Sequence, residues 1–387
     1  MNKCKSVYDP QEDSTLLEKW VKKYAKGKVL DIGTGSGIQA IAAAQSKKVS
    51  SILGTDIQRE VIEYCKKCIK NKKIAFLQSD LFKNVRGKFD TIIFNPPYLP
   101  QELKLKDLTI EGGKKGYEII ESFLNEAKEF LKPNGSILMV FSSLTKKEKV
   151  EEFIKDNLLE FEELERSHIF FEDIYVYLLK KTRFLKKLED NGLTNVKYFT
   201  KGHRGFLFIA KYKGKKVVIK TKNPQSKAIG RIENEAKWLR KLNKYRIGPK
   251  LVKVFEDYFI YGCIDGDFII DYIRKSNKNK IRKLINKILN QLLVLDKLKV
   301  DKEEMHHPLK HVIVCDNQPY LIDFERMHYS KNPKNVTQFC QFLMSGYVNE
   351  LLKSKKINVD SKELIHFAKI YKNNMNLKNF NTLIDIV

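Results

Sequence analysis

Residues 95 to 98, Asn-Pro-Pro-Tyr, end the apolar run Thr91-Ile92-Ile93-Phe94. Two prolines cannot continue a sheet ladder, because they lack the amide hydrogen and fix φ. They force a stiff turn at a strand's carboxyl end, where open α/β sheets bind ligands. Asn95, Pro96, Pro97 and Tyr98 then offer that edge an amide side chain, a backbone carbonyl and an aromatic ring. A plain strand-ending turn explains the prolines equally well in isolation, so the context decides. The stretch "KVLDIGTGSGIQAIAAAQ" runs from a short strand into Asp31, then Gly33, Gly35 and Gly37, then an alanine-rich helix. Glycines at such a turn let backbone approach a ligand, and the helix start adds unpaired N–H groups. "SSILGTD" ends on Asp56, placed to reach a ribose diol, and "IAFLQSD" ends on Asp80, suited to accept from an adenine amino group. Four strands that stop on polar residues at one sheet edge are hard to explain as packing.

An open α/β sheet must carry these positions, and the chain is long enough to hold more than that. At 387 residues it predicts two domains, each with its own core. The net charge of +26 is uneven: residues 1–181 hold 31 Lys+Arg against 27 Asp+Glu, and the remainder holds 42 against 20. The break near Lys180-Lys181-Thr182 predicts domains at 1–181 and 182–387. A strongly basic half suits nucleic-acid or ribosome contact, and a lysine-rich solvated surface gives the same count. No run of about 18 apolar residues is present, and Met1 to Lys5 lead into no apolar signal region, which predicts a cytoplasmic protein without a membrane span. Six cysteines are too few for a disulfide framework. Cys65 and Cys68 have the spacing of half a zinc site with no second pair, and on an amphipathic helix they read as one buried and one exposed thiol.

With the glycine turn, Asp31, Asp56, Asp80 and Asn-Pro-Pro-Tyr in place, the first half resembles the class I S-adenosylmethionine-dependent methyltransferases. Within them Asn-Pro-Pro-Tyr marks enzymes that methylate a planar –NH2, on adenine, cytosine or the amide of glutamine. The stretch "SVYDPQEDSTLLEKWV" resembles the Tyr-x-Pro-x-Glu-Asp-Ser/Thr signature of the short HemK-like class of archaea and eukaryotes, as do "EGGKKGYEIIESFLNEAKEFLKPNGSILMVFSSL" and "FFEDIYVYLL". That resemblance, over roughly residues 5 to 180, implies N5-methylation of the Gly-Gly-Gln glutamine in class I peptide-release factors. It places Tyr8, Pro10, Glu12 and Asp13 at the methionine end of the cofactor, with Ser14 also readable as a helix cap. It further implies a small zinc-binding activator protein as partner.

The second half reads differently. "TKGHRGFLFIAKYKGKKVVIK" predicts two strands joined at Lys213-Gly214, with Gly202 and Gly205 before the first and Lys220 ending the second. "ENEAKWLRKL" offers Glu235 on a helix, with Glu233 as competitor, and "PYLIDFER" places Asp323 after an apolar strand. Order and spacing resemble the protein-kinase fold of small RIO-like and archaeal kinds. The resemblance implies ATP on Lys220, Glu235 orienting that lysine, and Mg²⁺ on Asp323. The catalytic loop departs from that pattern. In "HHPLKHVIV", Pro308 stands at the expected Asp and Ile313 at the expected Asn, so phosphoryl transfer is left open. Lys310 or His311 could stabilise a phosphate, and His306 or His307 could serve as base. The basic run "IRKSNKNKIRKLINK" (273–287) suits an RNA face or a solvated helix.

The expected fold is therefore α/β plus α+β: a Rossmann-like seven-stranded methyltransferase domain followed by a small two-lobed kinase-like domain. The expected function is N5-glutamine methylation of a release factor. The alternatives are N6-adenine methylation of DNA or RNA, and a kinase-like half that serves as an inactive scaffold.

Overall fold

The computed structural model describes residues 9–98, 115–169, 171–201, 205–222 and 231–386. Tyr8 and Gly202 lie outside them. The chain divides into two compact units, Met1–Tyr198 and Phe199–Val387.

In the first unit, helices and strands alternate as α1 (Glu12–Tyr24), β1 (Gly27–Ile32), α2 (Ile38–Ala44), β2 (Val49–Asp56), α3 (Arg59–Cys68), β3 (Ile74–Gln78) and β4 (Phe89–Phe94). They continue as α4 (Glu118–Phe130), β5 (Leu131–Ser142), α5 (Lys147–Asp156), β6 (Leu159–Ile169), β7 (Glu172–Lys181) and α6 (Arg183–Asp190). The seven strands form one sheet of order β3-β2-β1-β4-β5-β7-β6. All neighbours from β3 to β5 pair parallel, and β7 runs antiparallel between β5 and β6. This is the Rossmann-like arrangement, with strand order reversing beside β1 and the ends of β1 and β4 meeting there. The central strands β1 and β4 bury apolar runs, Val29-Leu30 and Ile92-Ile93-Phe94, as strands covered on both faces do. Leu17 and Val21 of α1 pack in one core with Ala40 and Ala43 of α2 and Ile93 of β4. On α3, Cys65 is buried and Cys68 exposed, the two faces of one amphipathic helix.

The second unit opens with a five-stranded sheet. Its strands are β8 (Leu193–Lys201), across which the division falls, β9 (Gly205–Tyr212), β10 (Lys215–Lys222), β11 (Leu251–Val254) and β12 (Tyr258–Gly262). The order is β11-β12-β10-β9-β8, with α7 (Arg231–Leu242) inserted after β10. Gly205 is the first residue of β9, opposite Lys222, and does not precede the strand as the sequence suggested. Then come β13 (Asp267–Phe268), α8 (Ile269–Lys275), α9 (Lys278–Lys297), β14 (Val300–Asp301), β15 (Val312–Cys315), β16 (Gln318–Leu321) and β17 (His328–Tyr329). Helices α10 (Asn335–Met344), α11 (Gly346–Ser354), α12 (Ser361–Asn373) and α13 (Leu377–Asp385) close the chain. Short antiparallel pairs link β13 to β15, β15 to β16, and β14 to β17. Helix α9 buries Ile281, Leu284, Ile285, Ile288, Leu289 and Leu292, a stripe at helical spacing. Its basic residues Lys278, Lys280, Arg282 and Lys283 face outward.

No helix among the described residues is long and apolar enough to cross a membrane. The second core closes on one buried carboxylate. Asp296, 4% exposed, accepts from Asn335 Nδ2 at 2.8 Å, the Asn335 amide at 3.2 Å and the Tyr371 hydroxyl at 2.9 Å. It thereby ties α9 to α10 and α12. Asp296→Ala leaves these donors facing an apolar void, and unfolding of the chain in urea should show a loss on the order of 3 kcal/mol in this unit.

Candidate functional site

The parallel strands β1, β2 and β4 end around a cavity of about 780 Å³ in the first unit. Asn95 reaches it directly from the end of β4. Its Nδ2 donates to Asp13 Oδ2 at 3.0 Å and to Ser14 Oγ at 3.2 Å. A carboxylate oxygen accepts only, so this contact fixes which amide atom faces α1. The other atom, Asn95 Oδ1, is buried and has no hydrogen-bond partner. Pro96, Pro97 and Tyr98 line the cavity beside it. Ser14 is the third residue of α1, so it does not cap the helix.

Gln39 is a second anchored amide. It is 3% exposed, and its Nε2 donates to the Ser14 carbonyl at 2.8 Å. Its Oε1 is buried and unpartnered, and the residue lines the cavity. Two orphaned acceptors on one wall mark a place for a ligand's N–H groups, because buried polar atoms are otherwise satisfied.

The glycine turn forms the floor. Gly33 has φ +66° and Gly37, which immediately precedes α2, has φ +81°. A side chain at Gly37 would also strike Ile69 at 2.3 Å. Asp56 holds the turn from below: its Oδ2 accepts from the Gly35 amide at 3.1 Å and its Oδ1 from the Gln58 amide at 3.0 Å. Burial raises its carboxyl above the usual range, and those N–H groups work against the rise. Asp31 is 1% exposed and takes the Thr34 hydroxyl at 2.6 Å. Burial pushes its carboxyl up to about 7, the Thr34 bond opposing and the charge on Asp56 adding.

The structure thus gathers Asp13, Gly33, Gly35, Asp56, Asp80, Asn95, Pro96, Pro97 and Tyr98 on one cavity. Asp80 pairs with Lys83 at 2.6 Å on its open side. Pro10, Glu12, Asp31 and Gly37 do not line it; Glu12 points to solvent and Asp31 lies beneath the floor. The sequence reading passed over Gln11, Gln39, Glu126 and Glu172, which do line it. A signal existed for Gln39 alone, the single polar side chain of Ile38–Ala44.

In the second unit, Lys220 Nζ lies 2.5 Å from Glu235 Oε2 and 3.4 Å from Asp323 Oδ1. Glu235 is 3% exposed, whereas Glu233 is on the surface. Burial works against the charge on Lys220, but Glu235 and Asp323 together outweigh it and hold the ammonium above its usual range. Burial likewise opposes the charge on Asp323, and Lys220, Lys302 and His311 reverse that, keeping the carboxyl below its usual range. Carboxylate oxygens of Glu235, Asp323 and Glu325 all lie within 4.8 Å of one another, close enough to share a cation.

The methyltransferase small domain matches residues 8–171. A putative protein N5-glutamine methyltransferase of Methanocaldococcus jannaschii is 38% identical over 177 residues, covering 44% of this chain and 89% of that protein. The chain belongs to the methyltransferase small-domain family. A release factor glutamine methyltransferase of Buchnera aphidicola is 32% identical, and the match spans 38% of this chain and 59% of that protein's length. A solved chain from the E. cuniculi complex responsible for methylation of the eRF1 translation termination factor covers 46% of this chain and 99% of its own. Its identity is 22% and its TM-score 0.38. Among the described residues lining the cavity, only Glu172 falls outside the methyltransferase small domain.

Within that domain, Asp31 makes stability depend on pH. Its folded pKa of about 7 lies above the ordinary 3.8. The unfolded chain therefore releases the proton first, and stability falls as pH rises from about 4 to about 7, then levels. Asp31→Asn removes that slope and still accepts from Thr34. The unfolding free energy of wild type minus variant, from denaturant titrations, should decline between pH 5 and 7, by up to about 4 kcal/mol across the full titration, and stay flat above pH 8.

Proposed function

We propose that this chain transfers a methyl group from S-adenosylmethionine to the side-chain amide nitrogen of a glutamine, in the Gly-Gly-Gln segment of a class I release factor. The observation that carries this is the unpartnered Asn95 Oδ1, oriented into the cavity by Asp13 and Ser14. The names of the relatives above favour glutamine over a nucleic-acid base. An amide nitrogen shares its lone pair with the adjacent carbonyl and is a poor nucleophile. Asn95 Oδ1 and the Pro96 carbonyl accept its two hydrogens, which returns density to nitrogen and aims the lone pair. Tyr98 stacks on the amide plane. The work is positioning and preorganised polarity, with no titrating base needed before attack.

S-adenosylmethionine, when bound, supplies an electrophilic methyl on a sulfonium sulfur. The residues present fit it. Each Asp56 oxygen accepts one backbone N–H and keeps a second acceptor position for the ribose diol. Asp80 takes the adenine amino group, and the left-handed glycines keep side chains off the floor. Tyr8, Pro10, Glu12 and Asp13 are assigned to the methionine end, where Gln39 adds an acceptor for the ammonium. A cavity of about 780 Å³ has room for the cofactor and a glutamine side chain.

We assign this activity to residues 1–181. For residues 182–387 we propose a kinase-like module that binds ATP with Mg²⁺, through Gly202, Gly205, Lys220, Glu235 and Asp323. The close approach of Lys220 to both acids supports that reading. A small zinc-binding activator, and ribosome or RNA contact through the basic second half, complete the proposal for a cytoplasmic enzyme.

The test is methyl transfer from labelled cofactor to a class I release factor, to DNA and to RNA, each with and without a zinc-binding activator. Label on the release factor is expected. Label confined to nucleic acid would assign the site to an adenine amino group. Asn95→Ala should slow transfer by roughly 10²–10³ while cofactor affinity stays within severalfold. Asp56→Ala should weaken cofactor binding by about 1.5–3 kcal/mol in calorimetry, and an unchanged dissociation constant would remove the ribose role.

A further inference from the structure

Glu172 enters the cavity from an element that carries no part of the glycine turn. It is the first residue of β7, one position past the stretch that the small domain matches. Strand β7 runs antiparallel to β5, with Ile174 opposite Ser142, so its start lies at the edge where the parallel strands end. The sheet order then divides the cavity. Gly33, Asp56 and Asp80 lie at the ends of β1, β2 and β3 on one side of β4, and Glu172 stands on the other side, beyond β5. In strand order Asn95, at the end of β4, falls between the acids assigned to the cofactor and Glu172.

The Glu172 carboxylate is held in place. Ser142, fully buried at the end of β5, accepts the Leu144 amide on its Oγ at 3.1 Å and donates its hydroxyl hydrogen to Glu172 Oε2. A hydroxyl has one hydrogen, so that contact fixes which way the serine points. Beside it, the Asp173 amide donates to Ser143 Oγ at 3.0 Å. The Asp173 carboxylate meets Arg166 at 2.7 Å and His168 at 3.0 Å across the β6–β7 hairpin. Two consecutive serines thus pin the first two residues of β7. Glu172 is half-buried, and its Oε1 has no hydrogen-bond partner among the described residues. A fixed carboxylate with one oxygen unused is a preorganised acceptor for an N–H group.

We propose that Glu172 is a specificity-determining residue for the substrate, accepting a main-chain N–H from the peptide segment that carries the target glutamine. This rests on the glutamine reading above. In that reading the two amide hydrogens of the glutamine go to Asn95 Oδ1 and the Pro96 carbonyl. The cofactor's ribose diol and adenine amino group go to Asp56 and Asp80, across β4 from Glu172. The N–H groups left for Glu172 are those of the substrate main chain. In Gly-Gly-Gln neither glycine has a Cβ to hold its amide away from the carboxylate. A nucleic acid would bring phosphates to the same place, and like charges repel there. Glu172 therefore also favours a peptide over a base, and Ser142 is the positioning residue behind it.

Methyl transfer by the full chain from labelled S-adenosylmethionine to a class I release factor tests this, under the conditions in which wild type labels it. Glu172→Ala should raise KM for the release factor about 10- to 100-fold, the loss of one hydrogen bond to a charged group. KM for S-adenosylmethionine should not change, which a distorted cavity would not allow. Glu172→Gln keeps an acceptor oxygen and should recover part of the loss. On Gly-Gly-Gln peptides, sarcosine at one of the two glycines deletes an N–H without adding a Cβ. It should lower kcat/KM of wild type and make no further difference in Glu172→Ala. An unchanged KM for the release factor in Glu172→Ala overturns the assignment, as does an equal rise in both KM values. Sarcosine losses that persist in full without Glu172 overturn the main-chain contact. A wild-type chain that labels no release factor overturns the glutamine reading itself, and this assignment with it.

Discussion

Asp13 Oδ2 stands 3.0 Å from Asn95 Nδ2, and at that distance a carboxylate tolerates a donor and repels an oxygen. The partners are 82 residues apart in the chain. Rotating the amide would place two acceptors in contact inside a buried wall, at a cost of several kcal/mol. Everything chemical at the end of β4 follows from this constraint, because it decides that an oxygen, and not an NH2, faces the cavity. Asp13 in turn is placed by packing. Leu17 and Val21 seat α1 in the core that holds Ala40 and Ala43 of α2, and Gln39 ties the Ser14 carbonyl to that helix. The small side chains of α2 let α1 approach closely. An alanine-rich segment thus sets the orientation of a polar group on a different element.

The floor of the same cavity is held at an electrostatic cost. Asp31 and Asp56 are both buried and both raised by burial, and the charge on Asp56 raises Asp31 further. Their return is rigidity: Thr34 is bonded to Asp31 through its hydroxyl and to the Thr55 carbonyl through its amide at 2.8 Å. Gly35 is bonded to Asp56. The left-handed turn is therefore stapled to the ends of β1 and β2 before any ligand arrives, which lowers the ordering cost of binding.

Legibility followed the range of the interaction. The glycine turn and the strand-end acids were readable because each depends on neighbours within a few residues, whereas the seven-stranded sheet was expected only from the resemblance. Glu12 and Asp13 were read together, yet successive helix residues point about 100° apart, so one meets solvent and the other Asn95. Gln39 stood out in its helix, but the anchoring carbonyl of Ser14 is a tertiary fact that spacing does not show. The second unit shows the same limit. Counting along "HHPLKHVIV" from its histidines pointed to Pro308 and Ile313. The β14–β17 pairing, Val300 with Tyr329 and Asp301 with His328, brings the start of the loop beside Asp323 instead. Lys302 arrives there through a two-residue ladder that has no periodic signature in sequence.

The two units use desolvation for opposite ends. In the first, a buried carboxylate is retained as an acceptor so that a neutral amide can have only one orientation, and the amide does the chemistry. In the second, Lys220 keeps its charge because Glu235 and Asp323 are both within reach, whereas Lys302, as deeply buried, has weaker compensation and is lowered. Lys302 hydrogen-bonds the Asp323 carbonyl and feels the carboxylate only through space. That difference separates Lys220, whose direct ion pairs outweigh burial, from Lys302, where burial outweighs the same acids acting through space.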